Sequence, residues 1–169
     1  PRLLVVQRRQ GEPRWITNLG PLLRALRRRP GLQSRAQRME ALPLAEQFGL
    51  ASSSNVILGA HGAGLAWLVA MPVGSAVLEV MPAERPGWIL CIQSWDNPSN
   101  VRDGIYGGLA RLAGQHHVCL SANASVPAQG PYPYYSFRER EVELPIAAVM
   151  RRIDEAIASV SAGLQHDAG

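Results

Sequence analysis

Lysine is missing from this chain; all 17 of its basic residues are arginine. Cysteine occurs only twice, at Cys91 and Cys119, too few for a small scaffold knit by disulfides. The two either pair with each other or stay as separate buried thiols. No signal peptide, internal repeat or low-complexity tract is visible. Formal charge is absent between Val56 and Leu78, where only His61 ionises. That run has the length of a membrane span, but four glycines and Pro72 break it into pieces too short to cross.

What is there suits one substantial core. The chain has 169 residues, of which 47% are hydrophobic, and one domain is the natural count. It opens on Pro1 rather than Met, and is expected to be a fragment, one lobe of something larger. The net charge is +4 and the pI about 9.7, with arginines gathered over Arg24 to Arg38 and Arg138 to Arg152. Solvated helix faces account for most of these charges, and an anionic ligand or acidic surface for the remainder. No nucleic-acid partner is expected.

The rest is arranged around residues 55–82. Val56 to Leu58 is a short apolar run ending in a glycine-rich turn, Ala63 to Ala70 reads as a helix stopped by Pro72, and Ala76 to Val80 reads as a second buried strand. Strand, tight turn, helix and strand together predict a parallel sheet that brings a helix N-terminus to the carboxyl edge of its strands. The N–H groups of Gly62, Ala63, Gly64 and Leu65 are expected to point outward there, with the positive end of the helix dipole behind them. Packing alone would also account for the glycines, since their spacing matches neither the dinucleotide fingerprint nor the P-loop.

Leu3 to Gln7 reads as a first strand carrying cations at its end, followed by a turn over Gly11 to Arg14. Thr17 or Asn18 is expected to cap a helix with Leu22, Leu23 and Leu26 as its apolar stripe, ended by Pro30-Gly31. Ser34 to Glu40 is assigned a short strand, because the alternating order requires one. Leu44 to Ser52 reads as a helix with Leu44, Phe48 and Leu50 as its inward candidates. Trp88 to Trp95 reads as a helix or covering segment, Asp96 to Asp103 as a connection, Ile105 to Ala113 as a helix and His116 to Ser121 as a late strand. Asn123 to Ser136 is rich in breakers and reads as a loop. Pro145 to Ala162, with Ile146, Val149, Met150, Ile153, Ile157 and Val160 on one face, reads as an amphipathic helix closing the core. The fold class expected is therefore α/β, doubly wound, with a mainly parallel sheet.

A few residues have the chemistry to serve a site. A histidine where strand gives way to helix, His61, can donate to a phosphoryl oxygen. Arg8 and Arg14 lie on the same carboxyl edge if the sheet is parallel, where they form charge-assisted bonds to a diphosphate; a solvent-facing turn is the alternative for Arg14. Glu79 lies inside an apolar run and must be supplied with donors, either two ribose hydroxyls or a neighbouring arginine. His116 and His117 project to opposite sides of a strand and cannot both hold one metal ion, and His166 lies in a tail.

The string His61-Gly62-Ala63-Gly64-Leu65, followed by Met71-Pro72-Val73-Gly74-Ser75 and Val77-Leu78-Glu79, resembles the signature of glycosyltransferase family 61. Upstream, Leu44-Ala45-Glu46-Gln47 resembles the family's acidic-Gln segment, and Arg8, Arg14 and Asn18 resemble its Arg…Arg-x-x-x-Asn opening. The likeness runs from about Leu3 to Pro82. Ala66 departs from it where the family usually has a hydroxyl residue, and Leu19 where it usually has an acid. The resemblance implies the Rossmann-like, C-terminal donor-binding lobe of a GT-B type enzyme, with an N-terminal lobe as its partner. It implies inverting transfer of a sugar from a nucleotide sugar, a UDP-sugar, to a hydroxyl on a glycan or glycoprotein. Arg8, Arg14, Asn18, His61, Gly62, Ala63, Gly64, Leu65 and Glu79 would then bind the donor, with the general base outside these residues. No cofactor and no metal is expected, since the chain lacks the Asp-x-Asp motif with which metal-dependent sugar transferases hold manganese and diphosphate.

Two rival readings remain. His-Gly-Ala-Gly is similar to the oxyanion turn of esterases, but no Gly-x-Ser-x-Gly elbow accompanies it. A catalytically inactive α/β binding or scaffold module derived from such a transferase fits the Ala66 and Leu19 departures. Asn123-Ala124-Ser125 is an N-glycosylation sequon in a stretch expected to be loop. The resemblance and the sequon point to the lumen of the secretory pathway, Golgi or endoplasmic reticulum, with a type II membrane protein as the parent.

Overall fold

The computed structural model describes residues 1–83, 105–124 and 141–166, with six strands and four α-helices among them. Strand β1, Arg2–Val6, leads to helix α1, Leu19–Arg27, and then to β2, Gln33–Gln37. Helix α2, Leu44–Ser52, precedes β3, Val56–Ala60, and a 3-10 helix, Ala63–Ala70, connects it to β4, Ala76–Ala83. Helix α3, Ile105–Leu112, β5, His116–Ala124, β6, Val142–Glu143, and helix α4, Ile146–His166, complete the order.

The sheet runs β2-β1-β3-β4-β5-β6. Its first five strands are parallel, with Val6 beside Gly59, Gly59 beside Glu79 and Glu79 beside Cys119, and β6 joins antiparallel. One face, built on Leu3, Val5, Val56, Leu58, Leu78 and Val80, is covered by α1 and α4. The other, built on Leu4, Ile57 and Val77, is covered by the 3-10 helix, α3 and the end of α2. Helices on both faces of a mainly parallel sheet make this a doubly wound α/β fold, as its near-continuous apolar strands require. The order reverses between β1 and β3, whose following connections leave on opposite faces. In sheets of this order, ligands bind in the crevice outside the carboxyl ends of the two strands flanking that point.

Several elements differ from what the sequence suggests. The segment after the glycine turn winds as a 3-10 helix rather than an α-helix. Leu65, Leu68 and Met71 are buried while Ala63, Ala66 and Val69 are exposed, the three-residue period of a 3-10 helix. In α2 the inward residue is Ala51, and Leu44 and Phe48 lie 72% and 56% exposed, because the short helix brings its small side chain against the sheet. Strands β4 and β5 run to Ala83 and Ala124, beyond their apolar runs, because each supplies the other's ladder. Asn123 is thereby in β5, opposite Ala83 and Glu143, rather than in a loop. Strand β6 has no sequence signal; two residues pair with the end of β5, and Ile16 bridges to Val142. The expectations for 88–95, 96–103 and 125–136 lie outside the described residues.

Among the described residues no helix is long and apolar enough to cross a membrane. Cys119 is disulfide-bonded, and Cys91 lies outside the described residues.

Candidate functional site

The connection after β1 is built to hold two arginines still. Gln7, 6% exposed, receives the Arg8 N–H on its side-chain oxygen at 2.9 Å and the Ile16 N–H at 3.0 Å, and donates to the Ile16 carbonyl at 2.9 Å. Main-chain bonds from Thr17 to Val142 and from Val142 to Trp15 tie the same loop to β6. Within it Arg14 adopts φ 66°, a left-handed conformation that costs a residue with a Cβ on the order of 1–2 kcal/mol. The turn aims its guanidinium at β3, where Nη1 donates to the His61 carbonyl at 2.9 Å.

Gly62 lies opposite, at φ 147°. A Cβ there would collide with Nη1 of Arg14 and stand 3.2 Å from Nη2 of Arg8, so the two guanidinium groups occupy the space a side chain would fill. Gly64 is needed for a different reason, since a Cβ on it would stand 2.7 Å from Cγ1 of Val6. The Leu65 N–H, expected to point outward, instead donates to the Gly62 carbonyl at 2.9 Å. The same bond starts the 3-10 helix. The N–H groups of Gly62, Ala63 and Gly64 meet no acceptor among the described residues.

Beneath this corner Glu79 is 4% exposed on β4. One carboxylate oxygen is hydrogen-bonded by Nδ1 of His61 and the other, at 2.8 Å, by Nε2 of His117. The register explains the cluster: His117 is beside Val77 on β5, so its side chain emerges on the face that carries Glu79. His116 points the other way and is exposed. Burial opposes ionisation of Glu79, but the hydrogen bonds from His117 and His61 and their positive charge when protonated outweigh it, holding its pKa below the usual carboxylate value. Tyr106 of α3 packs edge-on to His61 with ring centroids 5.4 Å apart. Burial and the Glu79 charge raise the Tyr106 pKa, while Arg14 and Arg8 pull it down.

Arg8, Arg14, His61 and Gly62 thus converge at the strand-order reversal. Glu79 lies below them with partners other than those read from the sequence. Among the described residues two histidines, rather than an arginine, donate to it. Asn18 occupies the N-cap position of α1, yet its side chain makes no cap. Its amide donates to the Leu144 carbonyl at 2.8 Å and accepts from the Leu144 N–H at 2.9 Å, fastening α1 to the start of α4. The two bonds give Asn18 a structural role. The Leu44-Ala45-Glu46-Gln47 segment forms the first turn of α2, where Gln47 bonds the Leu42 carbonyl at 2.9 Å.

Three residues of the site carry no sequence assignment. Gln7 and Tyr106 read as ordinary members of a strand and a helix. His117 could have been found only by knowing that β5 neighbours β4 and in which register. Among the described residues no group of three His, Cys, Asp or Glu side chains is arranged to hold a metal ion.

Two arginines, a histidine and main-chain N–H groups gather at the switch point of a doubly wound domain. With both imidazoles neutral, the cluster of Arg8, Arg14 and Glu79 carries two positive charges and one negative. Residues 1–78 match the family model for glycosyltransferase 61, so over that stretch the chain is similar to that family. Glu79 and His117 lie beyond the matched residues. No curated protein matches the chain.

Proposed function

We propose that this domain binds the diphosphate of a nucleotide sugar, a UDP-sugar, at the corner formed by Arg8, Arg14 and residues 61–64, and that it serves inverting transfer to a hydroxyl of a glycan or glycoprotein. The observation that carries the reading is the convergence of both guanidinium groups on the backbone of Gly62 at the point where the strand order reverses. In the reaction a base removes the acceptor proton, the hydroxyl oxygen bonds to the anomeric carbon, and the bond to the diphosphate breaks. Negative charge grows on the departing diphosphate. Fixed donors aimed at that charge stabilise the transition state without reorganising. Here they are the arginines and the N–H groups of Gly62, Ala63 and Gly64, with His61 adding a donor when its ring carries a second proton, since Nδ1 is bonded to Glu79. The acceptor site and the base belong to a second lobe. The disulfide at Cys119 supports an oxidising lumen as the compartment.

Calorimetric titration of the chain with UDP and UDP-sugars tests this. UDP should bind, and Arg8→Ala should weaken it roughly ten- to hundredfold, the worth of a lost charge-assisted bond. If no uridine nucleotide binds at any concentration reached, or Arg8→Ala leaves the affinity unchanged, the reading fails.

A further inference from the structure

We propose that the hydroxyl of Tyr106, in the first turn of α3, is a further ligand-binding group of the corner formed by Arg8, Arg14 and residues 61–64, and that it donates a hydrogen bond to a phosphate oxygen of the ligand held there. The identity of that ligand as a nucleotide diphosphate rests on the reading above. The role of the hydroxyl requires only that the corner take a phosphate group.

Helix α3 runs back along the sheet from its carboxyl edge to the start of β5, so its first turn lies at the edge where β3 gives way to the glycine corner. Tyr106 is 7% exposed there, with its ring in the apolar cluster of Leu4, Ile57, Leu65 and Val77. The ring meets the His61 imidazole with the two planes at 74°. A phenol buried this deeply has a hydrogen-bond partner as a rule. This one makes no hydrogen bond among the described residues. Its surroundings say what kind of partner suits it. Tyr106 feels the charges of Glu79, Arg14 and Arg8 together, which sets the hydroxyl near the charged groups of the corner rather than in the apolar interior. Burial and the Glu79 charge keep the proton on the phenol, so the group is a donor. Glu79 already accepts from His61 and His117, and the arginines have only N–H groups to offer. A phosphate oxygen brings the missing acceptor, and the guanidinium groups beside it balance its charge.

Tyr106→Phe tests this, because it keeps the ring and its packing on His61 and removes only the hydroxyl. With no bond inside the protein to lose, the variant should unfold within about 2 °C of the parent when no ligand is present. Calorimetric titration should then show its affinity for UDP and for inorganic pyrophosphate lowered about tenfold each, the worth of one hydrogen bond to a charged acceptor. Parent affinity for both ligands would overturn the proposal and leave the hydroxyl to water. A tenfold loss for UDP with none for pyrophosphate, whether pyrophosphate binds both proteins equally or neither, would move the partner to the nucleoside half and overturn it as well. The parent chain separates the two claims. Pyrophosphate binding without UDP binding would sink the nucleotide reading and leave Tyr106 to be decided by the pyrophosphate series, whereas UDP binding that ignores Tyr106→Phe would sink the hydroxyl's role alone. A parent that binds neither ligand would sink both.

Discussion

Glu79 shows how a residue's surroundings choose its chemistry. A carboxylate inside an apolar strand announces that something must donate to it, but the chain does not say what. The parallel register answers with two imidazoles. Because its folded pKa lies below the unfolded value, Glu79 stabilises the fold above that value, and the contribution is lost as pH falls through the folded pKa. Urea denaturation from about pH 6 down to pH 3 should therefore show stability falling more steeply for the parent than for Glu79→Gln. Equal slopes would mean the carboxylate is not held by its histidines. Arg14 carries the converse lesson. Its left-handed backbone is a local cost that only the convergence on Gly62 explains, and an arginine in a turn gives no hint of it.

At the scale of elements, β1, β3, β4, β5 and most helices are legible because apolar periodicity and breakers mark them, whereas the polar β2 and the two-residue β6 are not. The helix bounds at Leu44 and Ser52 match the pattern, whereas its inward face does not, since a nine-residue helix with alanine against the sheet has two faces of similar apolarity. The glycine turn is visible in the sequence, but its 3-10 winding follows from tertiary contact, Gly64 against Val6 and Leu65 over Gly59. Asn18 belongs to this scale as well, since it joins two elements 126 residues apart in sequence. Asn18→Ala should cost about 1–3 kcal/mol in denaturant unfolding, leaving the Leu144 N–H and carbonyl without partners. It should leave UDP affinity within about twofold, a shift of roughly 0.4 kcal/mol. A loss of affinity with stability unchanged would return Asn18 to the ligand site.

For the whole molecule the strand order is the decisive fact. It places the loops after β1 and β3 side by side at the reversal point, with His61 in the turn after β3 and His117 on β5 flanking β4. If UDP occupies that crevice, its addition should slow amide hydrogen exchange over residues 8–16 and 61–65. Exchange at the opposite edge, around Arg2 and Gln33, should stay as it was. Protection confined to that opposite edge, where Arg2, Arg35, Ser34 and Ser53 line a cavity of about 270 Å³, would move the site to the wrong end of the sheet.

The sequence by itself determined the alternation of strands and helices, the glycine corner at position 62, the arginines before it and the family signature, all of which are local patterns of polarity, turn chemistry and spacing. Which strands are neighbours, which face of α2 turns inward, and that Glu79 answers to His61 and His117 were decided only by the tertiary structure. Register between strands far apart in the chain depends on hydrogen-bond ladders and burial on both faces at once, and no window of sequence contains both partners of such a pair.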